Sequence, residues 1–375
     1  MKIGILGGGQ LARMMAASGI PLGMEFVFVD PAEDACAAAY GRLLTADWAQ
    51  APTLDGLRDC DRITCDFENV PAEVLDALGE VAPVRPGPDA FAAAQDRLTE
   101  KRLFQRLDIP VPPFAEVSSR ADLLAAIDTI GLPAVLKTRR FGYDGKGQAV
   151  LRSREDLEPA WRDLGGHDLI LEGWINFHHE CAITAVRGSD GAIVCYPLSW
   201  TVHDGGILRL ALAPAPVARE MESRARELVE RLLSELEYIG CLTLELFATD
   251  QGLVANEFAP RVHNSAHWTI DGSITSQFEN HLRAVCNLPL GDTTMRGQAL
   301  MLNWIGQMPS MAEFLGIAGL RWHDYGKRAR PGRKVGHATL VAEDRSGIEA
   351  GVAAIVDQVD AQTASLLKGE MMPLG

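Results

Sequence analysis

No stretch of this 375-residue chain is strongly basic, and its formal net charge is −15. A nucleic-acid binder needs a basic stripe or patch, so that class is disfavoured. The seven cysteines, Cys36, Cys60, Cys65, Cys181, Cys195, Cys241 and Cys286, include no Cys-x-x-Cys pair. Neither a structural zinc site nor a disulfide framework is implied, and a reducing compartment is expected. No apolar run is long enough to cross a bilayer. The opening Met1-Lys2-Ile3-Gly4-Ile5-Leu6-Gly7 is too short and glycine-rich for a signal peptide, so a cytoplasmic protein with no membrane partner is expected. Internal repeats and low-complexity tracts are also missing. The apolar fraction of 47% is ordinary for a globular protein, and the length calls for two or three domains.

Lys2–Leu6 reads as a short buried strand that turns through Gly7-Gly8-Gly9 into a helix starting at Gln10. Strands follow at Glu25–Val29 and Arg62–Cys65, with a helix after Pro71. This alternation predicts a parallel, doubly wound, Rossmann-like sheet. A helix is expected from Phe91 to Leu107, and three prolines at 110, 112 and 113 end it. Strand–glycine loop–strand over 133–152 opens a small α/β lobe. Antiparallel strands are expected over 169–213, a long amphipathic helix over 217–238, and strands at 299–304 and 334–341. The boundaries predicted are 1–95, 96–175 and 176–375.

The glycine turn fits Gly-x-Gly-x-x-Ala, with Asp30 ending the next strand, and alone it suggests an NAD-dependent oxidoreductase. The signal is weak, because any anion, a sugar phosphate included, can use bare N–H groups at a helix N-terminus.

A more informative pattern lies at Glu245 and Glu257. Residues 241–247 and 253–258 alternate like strands around Asp250-Gln251-Gly252, a three-residue hairpin loop that pairs Thr249 with Leu253. Counting back sets Glu245 opposite Glu257, with Cβ atoms roughly 5 Å apart on one face. Like charges so placed repel unless a cation lies between them, and Mg²⁺ bridging nucleotide phosphates is the usual case. The alternative is a solvated hairpin face. Lys137 ends an apolar strand, followed by Gly142-Tyr143-Asp144-Gly145-Lys146-Gly147, a flexible flap whose amides and lysine suit phosphates. It is not a Walker A loop, since it joins two strands. The strand 169–175 breaks at Gly173 and offers backbone groups to an adenine edge, while Glu180 suits ribose hydroxyls. A zinc site from His203, His263 and His267 has no support in the spacing.

In this order the pieces resemble the ATP-grasp superfamily. Within it, residues 4–11, Gln95-Asp96-Arg97, 141–148, 203–209, 256–265, 323–327 and 330–337 resemble the N5-carboxyaminoimidazole ribonucleotide synthetases. The last two motifs are the most specific. Ala266 replaces the family's usual Gly, and Cys65-Asp66 stands where an aromatic-Glu pair is common. The resemblance implies an ATP-grasp architecture: a Rossmann-like domain, an α/β lid lobe and a mixed-sheet C-terminal domain. It implies ATP-dependent carboxylation of 5-aminoimidazole ribonucleotide by bicarbonate, and a homodimer. ATP contacts are implied at Arg97, Lys137, Gly142, Tyr143, Asp144, Gly145, Lys146, Gly147, Gln148, Glu172, Gly173, Trp174, Ile175, Glu180, His203, Asn256 and Glu257, with Mg²⁺ on Glu245 and Glu257. Catalytic roles are expected for Arg261, Lys146, His263 and Asn264. The ribonucleotide is expected at Gln10, Glu68, Tyr143, Asp144, Lys146, His263, Asn264, Lys327, Arg333 and Lys334. Competing readings are the oxidoreductase, an ATP-grasp enzyme joining a carboxylate to a glycinamide, and a non-catalytic nucleotide-binding module.

Overall fold

A computed structural model describes residues 1–48, 51–142 and 146–371, so Tyr143, Asp144 and Gly145 of the glycine loop lie outside the described residues. Three sheets organise the chain. The first contains β1 (Lys2–Leu6), β2 (Glu25–Asp30), β3 (Arg42–Thr45) and β4 (Arg62–Cys65) in the parallel order β3-β2-β1-β4. Ile3, Ile5 and Leu6 are wholly buried, as expected of a strand covered on both faces.

The second sheet contains β5 (Phe114–Val117), β6 (Ala134–Thr138), β7 (Gln148–Leu151) and β8 (Leu169–Gly173), ordered β5-β8-β6-β7. Helix Arg120–Ile130 covers it, capped by Ser119, whose side chain accepts from the Asp122 amide.

The third sheet has nine strands: β9 (His179–Arg187), β10 (Ile193–Cys195), β11 (Ser199–Asp204), β12 (Ile207–Ala213), β13 (Gly240–Thr249), β14 (Gly252–Ala259), β15 (Gln298–Ile305), β16 (Leu320–Asp324) and β17 (Lys334–Ala342). Its order is β14-β13-β9-β11-β12-β15-β17-β16, with β10 on β9, and the described pairings are antiparallel. Helix Arg219–Glu235 lays Ala225, Leu228, Val229 and Leu232 against it, a spacing that makes one apolar stripe. The other face receives helix Gln277–Val285, which also packs on helix Gln10–Gly19 of the first unit. Among the described residues no helix is long and apolar enough to cross a membrane.

Three local expectations differ from the structure. The helix expected over 91–107 is two, Pro88–Ala94 and Arg97–Arg106, because the Asp96 carboxylate accepts from the Leu98 and Thr99 amides and starts a new helix. Strands β3, β5 and β16 were not expected; each is four or five residues long with no clean alternation. The hairpin loop is also shorter, since Thr249 pairs with Gly252 and not with Leu253. A β-bulge beside Leu246 then absorbs one residue, and Glu245 still meets Glu257.

Candidate active site

The paired carboxylates lie on one edge of the third sheet. Glu257 takes an ion pair from Arg97, Oε2 to Nη1 at 2.7 Å, and Glu245 has His263 Nε2 at 3.2 Å from its Oε1. Arg97 opens its helix just after the Asp96 cap, and Arg139 locks that cap with contacts of 3.1 and 2.8 Å. Burial raises the Glu257 carboxyl, but the charge and hydrogen bond of Arg97 outweigh it and bring the group down to about 2. For Glu245, burial and the neighbouring Glu257 charge act together and push it up to about 7. Two carboxylates strained against each other in this way favour a cation between them.

Magnesium uses one or two carboxylates and leaves its other positions to phosphates and water. Glu245 and Glu257 fit that demand as hard oxygen donors with their outer flanks held by His263 and Arg97. Among the described residues no group of three or more His, Cys, Asp or Glu side chains could hold a metal by itself.

The residues expected to contact a nucleotide flank this pair. Lys137 reaches Glu172 at 2.9 Å, and the fully buried Lys101 reaches the same carboxylate at 3.6 Å. Burial raises Glu172, yet the two lysines outweigh it and bring it to about 2. Glu180 Oε2 lies 2.6 Å from His203 Nδ1, and Glu180 overrides the effect of burial to raise the His203 pKa. Trp174 is exposed just beyond the end of β8. A cavity of about 80 Å³ brings Arg97, Glu257, Arg261 and His263 together with Gly142 of the glycine loop and Glu68 of the first unit. Lys146, Gly147 and Gln148 resume the chain beyond Gly145, with Gln148 starting β7 opposite Lys137.

Lys327, Arg333 and Lys334 sit at one end of β16 and β17, and the Lys327 ammonium donates to Gln10 Oε1 at the start of helix Gln10–Gly19. Burial pulls the Lys327 pKa down. Lys334 lies close enough to His203, His263 and Glu245 to act on their charges. The first and third units therefore share this corner.

Several expected roles change on inspection. Arg261 is not an open fork: its Nε donates to Glu68 at 2.5 Å and its Nη1 to the Val262 carbonyl at 3.0 Å. Glu68 is thus engaged as the guanidinium's partner. Asn264 is buried, and its amide exchanges hydrogen bonds of 3.0 and 2.8 Å with Asn303 and approaches His267. It supports the site from behind. The glycine turn is filled from within the chain. The Gly8 amide donates to Asp30 at 2.8 Å, and the Gly9 and Ala12 amides donate to Asp66 at 2.8 and 3.4 Å. Gly7, at φ +102°, admits no side chain, since a Cβ there would lie 1.5 Å from Asp66 Oδ1. A carboxylate occupies the place of a pyrophosphate, which removes the structural basis for the dinucleotide reading.

Three family descriptions match successive parts of the chain: a ribonucleotide synthetase preATP-grasp domain over residues 1–95, an ATP-grasp domain over 102–278, and a phosphoribosylaminoimidazole carboxylase C-terminal domain over 299–350. The N5-carboxyaminoimidazole ribonucleotide synthase of Pseudomonas aeruginosa is 49% identical over 362 residues, 96% of this chain and 100% of that one. The chain belongs to the N5-carboxyaminoimidazole ribonucleotide synthase family. The Escherichia coli synthase is 36% identical over 97% of both chains. The crystal structure of the Thermus thermophilus synthetase superposes with a TM-score of 0.92 at 47% identity, covering 96% of this chain and 98% of that one. The Aspergillus clavatus synthase in complex with ADP and 5-aminoimidazole ribonucleotide superposes with a TM-score of 0.88 at 29% identity, covering 95% and 98%. As a synthase of this family, the chain is an ATP-grasp ligase of purine biosynthesis.

Sequence reasoning missed Glu100 and Lys101, which hold the backbone around Glu257. Their signal was present: three and four residues after Arg97, they project from the same side of a helix.

Proposed function

We propose that this chain joins 5-aminoimidazole ribonucleotide to bicarbonate at the expense of ATP, giving N5-carboxyaminoimidazole ribonucleotide, ADP and phosphate. The facing Glu245 and Glu257, held by His263 and Arg97, carry this reading, with Glu257, Arg97 and His263 lining one cleft beside Gly142. A bicarbonate oxygen attacks the γ-phosphorus as the bond to the β-phosphate oxygen breaks, releasing ADP and forming carboxyphosphate. The carboxyl carbon then forms its bond to the exocyclic amine. Phosphate leaves, and the amine gives up a proton.

Such transfers depend mainly on positioning and charge neutralisation. When bound, Mg²⁺ on Glu245 and Glu257 supplies neutralising charge to the phosphates. Arg97 and Lys137 orient the triphosphate, and Glu180 with His203 fits the ribose. The remaining N–H groups of Arg261, oriented by Glu68, face the carboxyphosphate. His263 is largely buried, and desolvation together with Arg261 holds it well below the ordinary histidine pKa. It is neutral at pH 7 and suited to orient an oxygen. Lys327, Arg333 and Lys334 offer charge to the 5′-phosphate, with Gln10 fixing Lys327. Lys146 adds positive charge on the phosphate side, and exclusion of water from the site protects a readily hydrolysed intermediate. The working form is a cytoplasmic homodimer.

Release of ADP from Mg-ATP and bicarbonate, with and without 5-aminoimidazole ribonucleotide, tests this reading. Strong dependence on the ribonucleotide is expected. ADP release indifferent to it would discard the acceptor, and no release at all would discard the phosphoryl transfer.

A further inference from the structure

β14 keeps its alternation only as far as the bulge. Leu253 and Ala255 face the large core, and strict alternation would send residue 257 the same way. An unbroken ladder from the Leu246–Ala255 pair would set Asn256 against Glu245 and Glu257 against Leu244, which is buried in that core. The bulge instead sends Phe258 into the core and returns Glu257 to the face of Glu245. One extra residue therefore creates the carboxylate pair.

A bulge leaves backbone groups without ladder partners, and buried ones need replacements. Here two neighbouring side chains of helix Arg97–Arg106 supply them. Lys101 Nζ donates to the Asn256 carbonyl at 2.5 Å and to the Ala255 carbonyl at 3.4 Å. Glu100 Oε1 accepts from the Phe258 amide at 2.7 Å. The Ala255 amide finds the Pro110 carbonyl at 2.7 Å, just beyond the same helix. Glu100 is 1% exposed and Lys101 fully buried. Charged groups so deeply buried are poor sources of stability, and apolar residues of similar shape often serve as well or better. What apolar residues cannot do is hold these carbonyls and this amide. Lys101 also lies 3.6 Å from Glu172, so one ammonium links the bulge to the carboxylate that pairs with Lys137.

We propose that Lys101 and Glu100 are positioning residues whose grip on the bulge at residues 255–258 presents Glu257 to the metal-bound phosphates. This rests on the metal role given above to Glu245 and Glu257. Neither residue touches the reacting atoms.

The test uses Lys101→Met, which keeps the length of the stem and removes the donor. Mn²⁺, a paramagnetic stand-in for Mg²⁺, is titrated by electron paramagnetic resonance in the presence of ADP, and ADP binding without metal is measured by calorimetry. The expected result is Mn²⁺ binding weakened roughly 10- to 100-fold, with a smaller change in metal-free ADP affinity and a cooperative melting transition. Mn²⁺ affinity within about twofold of the unaltered protein overturns the proposal. Should Lys101→Met fail to fold, Glu100→Gln against Glu100→Leu decides. Gln retains an acceptor for the Phe258 amide and should bind Mn²⁺ almost normally, whereas Leu should not; equal affinities in the two contradict the grip. Absence of ADP-dependent Mn²⁺ binding in the unaltered protein would instead remove the metal reading itself.

Discussion

Glu257 is held low by Arg97 while Glu245 is pushed up by burial and by Glu257 itself. Replacing Glu257 with Gln keeps the shape and removes the charge. Mg-ATP turnover should fall by at least roughly a hundredfold, with cooperative unfolding retained. Turnover close to that of the unaltered protein contradicts the metal assignment. His281 gives a prediction about stability. Its Nδ1 accepts from the Cys241 amide at 3.0 Å and its Nε2 bonds Thr64 Oγ1 at 2.8 Å, so one neutral ring ties the first sheet to the third. Burial lowers its pKa from the model-compound value of 6.5 to about 4. The unfolded chain therefore takes up this proton near pH 6.5 and the folded chain only near pH 4. The contribution is fully present above pH 6.5 and is lost as pH falls towards 4, by about 3 kcal/mol in all. Burial raises the carboxyls of Asp66, Glu100 and Glu245, whose effect over this range has the opposite sign, so a difference between variants is the cleaner readout. His281→Asn should be less stable than the unaltered protein at pH 7.5, and chemical denaturation should show that gap shrinking at pH 5. A gap constant with pH contradicts the assignment.

At the scale of elements, the turn at Gly7-Gly8-Gly9 looks like a ligand site in sequence and is an internal cap in structure. Asp66→Ala removes the acceptor for the Gly9 and Ala12 amides, and denaturant unfolding should show a loss of about 1–3 kcal/mol. An unchanged midpoint contradicts the cap. This turn also shows where sequence reading stops. Its pattern gives the strand, the turn and the helix correctly, but the acid that fills it comes from 57 residues away. The Glu245–Glu257 pair was legible because alternation on both strands is local. The route to it was not: the loop has two residues, and the bulge depends on Lys101 and Glu100 from another element. The break at Gln95-Asp96 was hidden because helix-forming residues lie on both sides of a single capping acid. Arg261 and Asn264 were legible as polar residues after a buried strand, while their partners Glu68 and Asn303 were settled only by folding.

At the scale of the molecule, the three sheets divide the work. The first brings Glu68 to Arg261 and Gln10 to Lys327, the second brings Lys137 and Glu172 together, and the third supplies Glu245, Glu257, His263 and the basic end of β16 and β17. They meet around Glu257, where Glu68, Arg97, Arg261 and His263 line one cleft, as transfer from ATP to bicarbonate and then to an amine requires. The most direct measurement supplies ¹⁸O-labelled bicarbonate with Mg-ATP and 5-aminoimidazole ribonucleotide and follows the label by mass spectrometry of the released phosphate. Attack by bicarbonate on the γ-phosphorus predicts one labelled oxygen per phosphate formed. Phosphate released at the same rate without label would contradict the account, because the γ-phosphoryl group would then have passed to water.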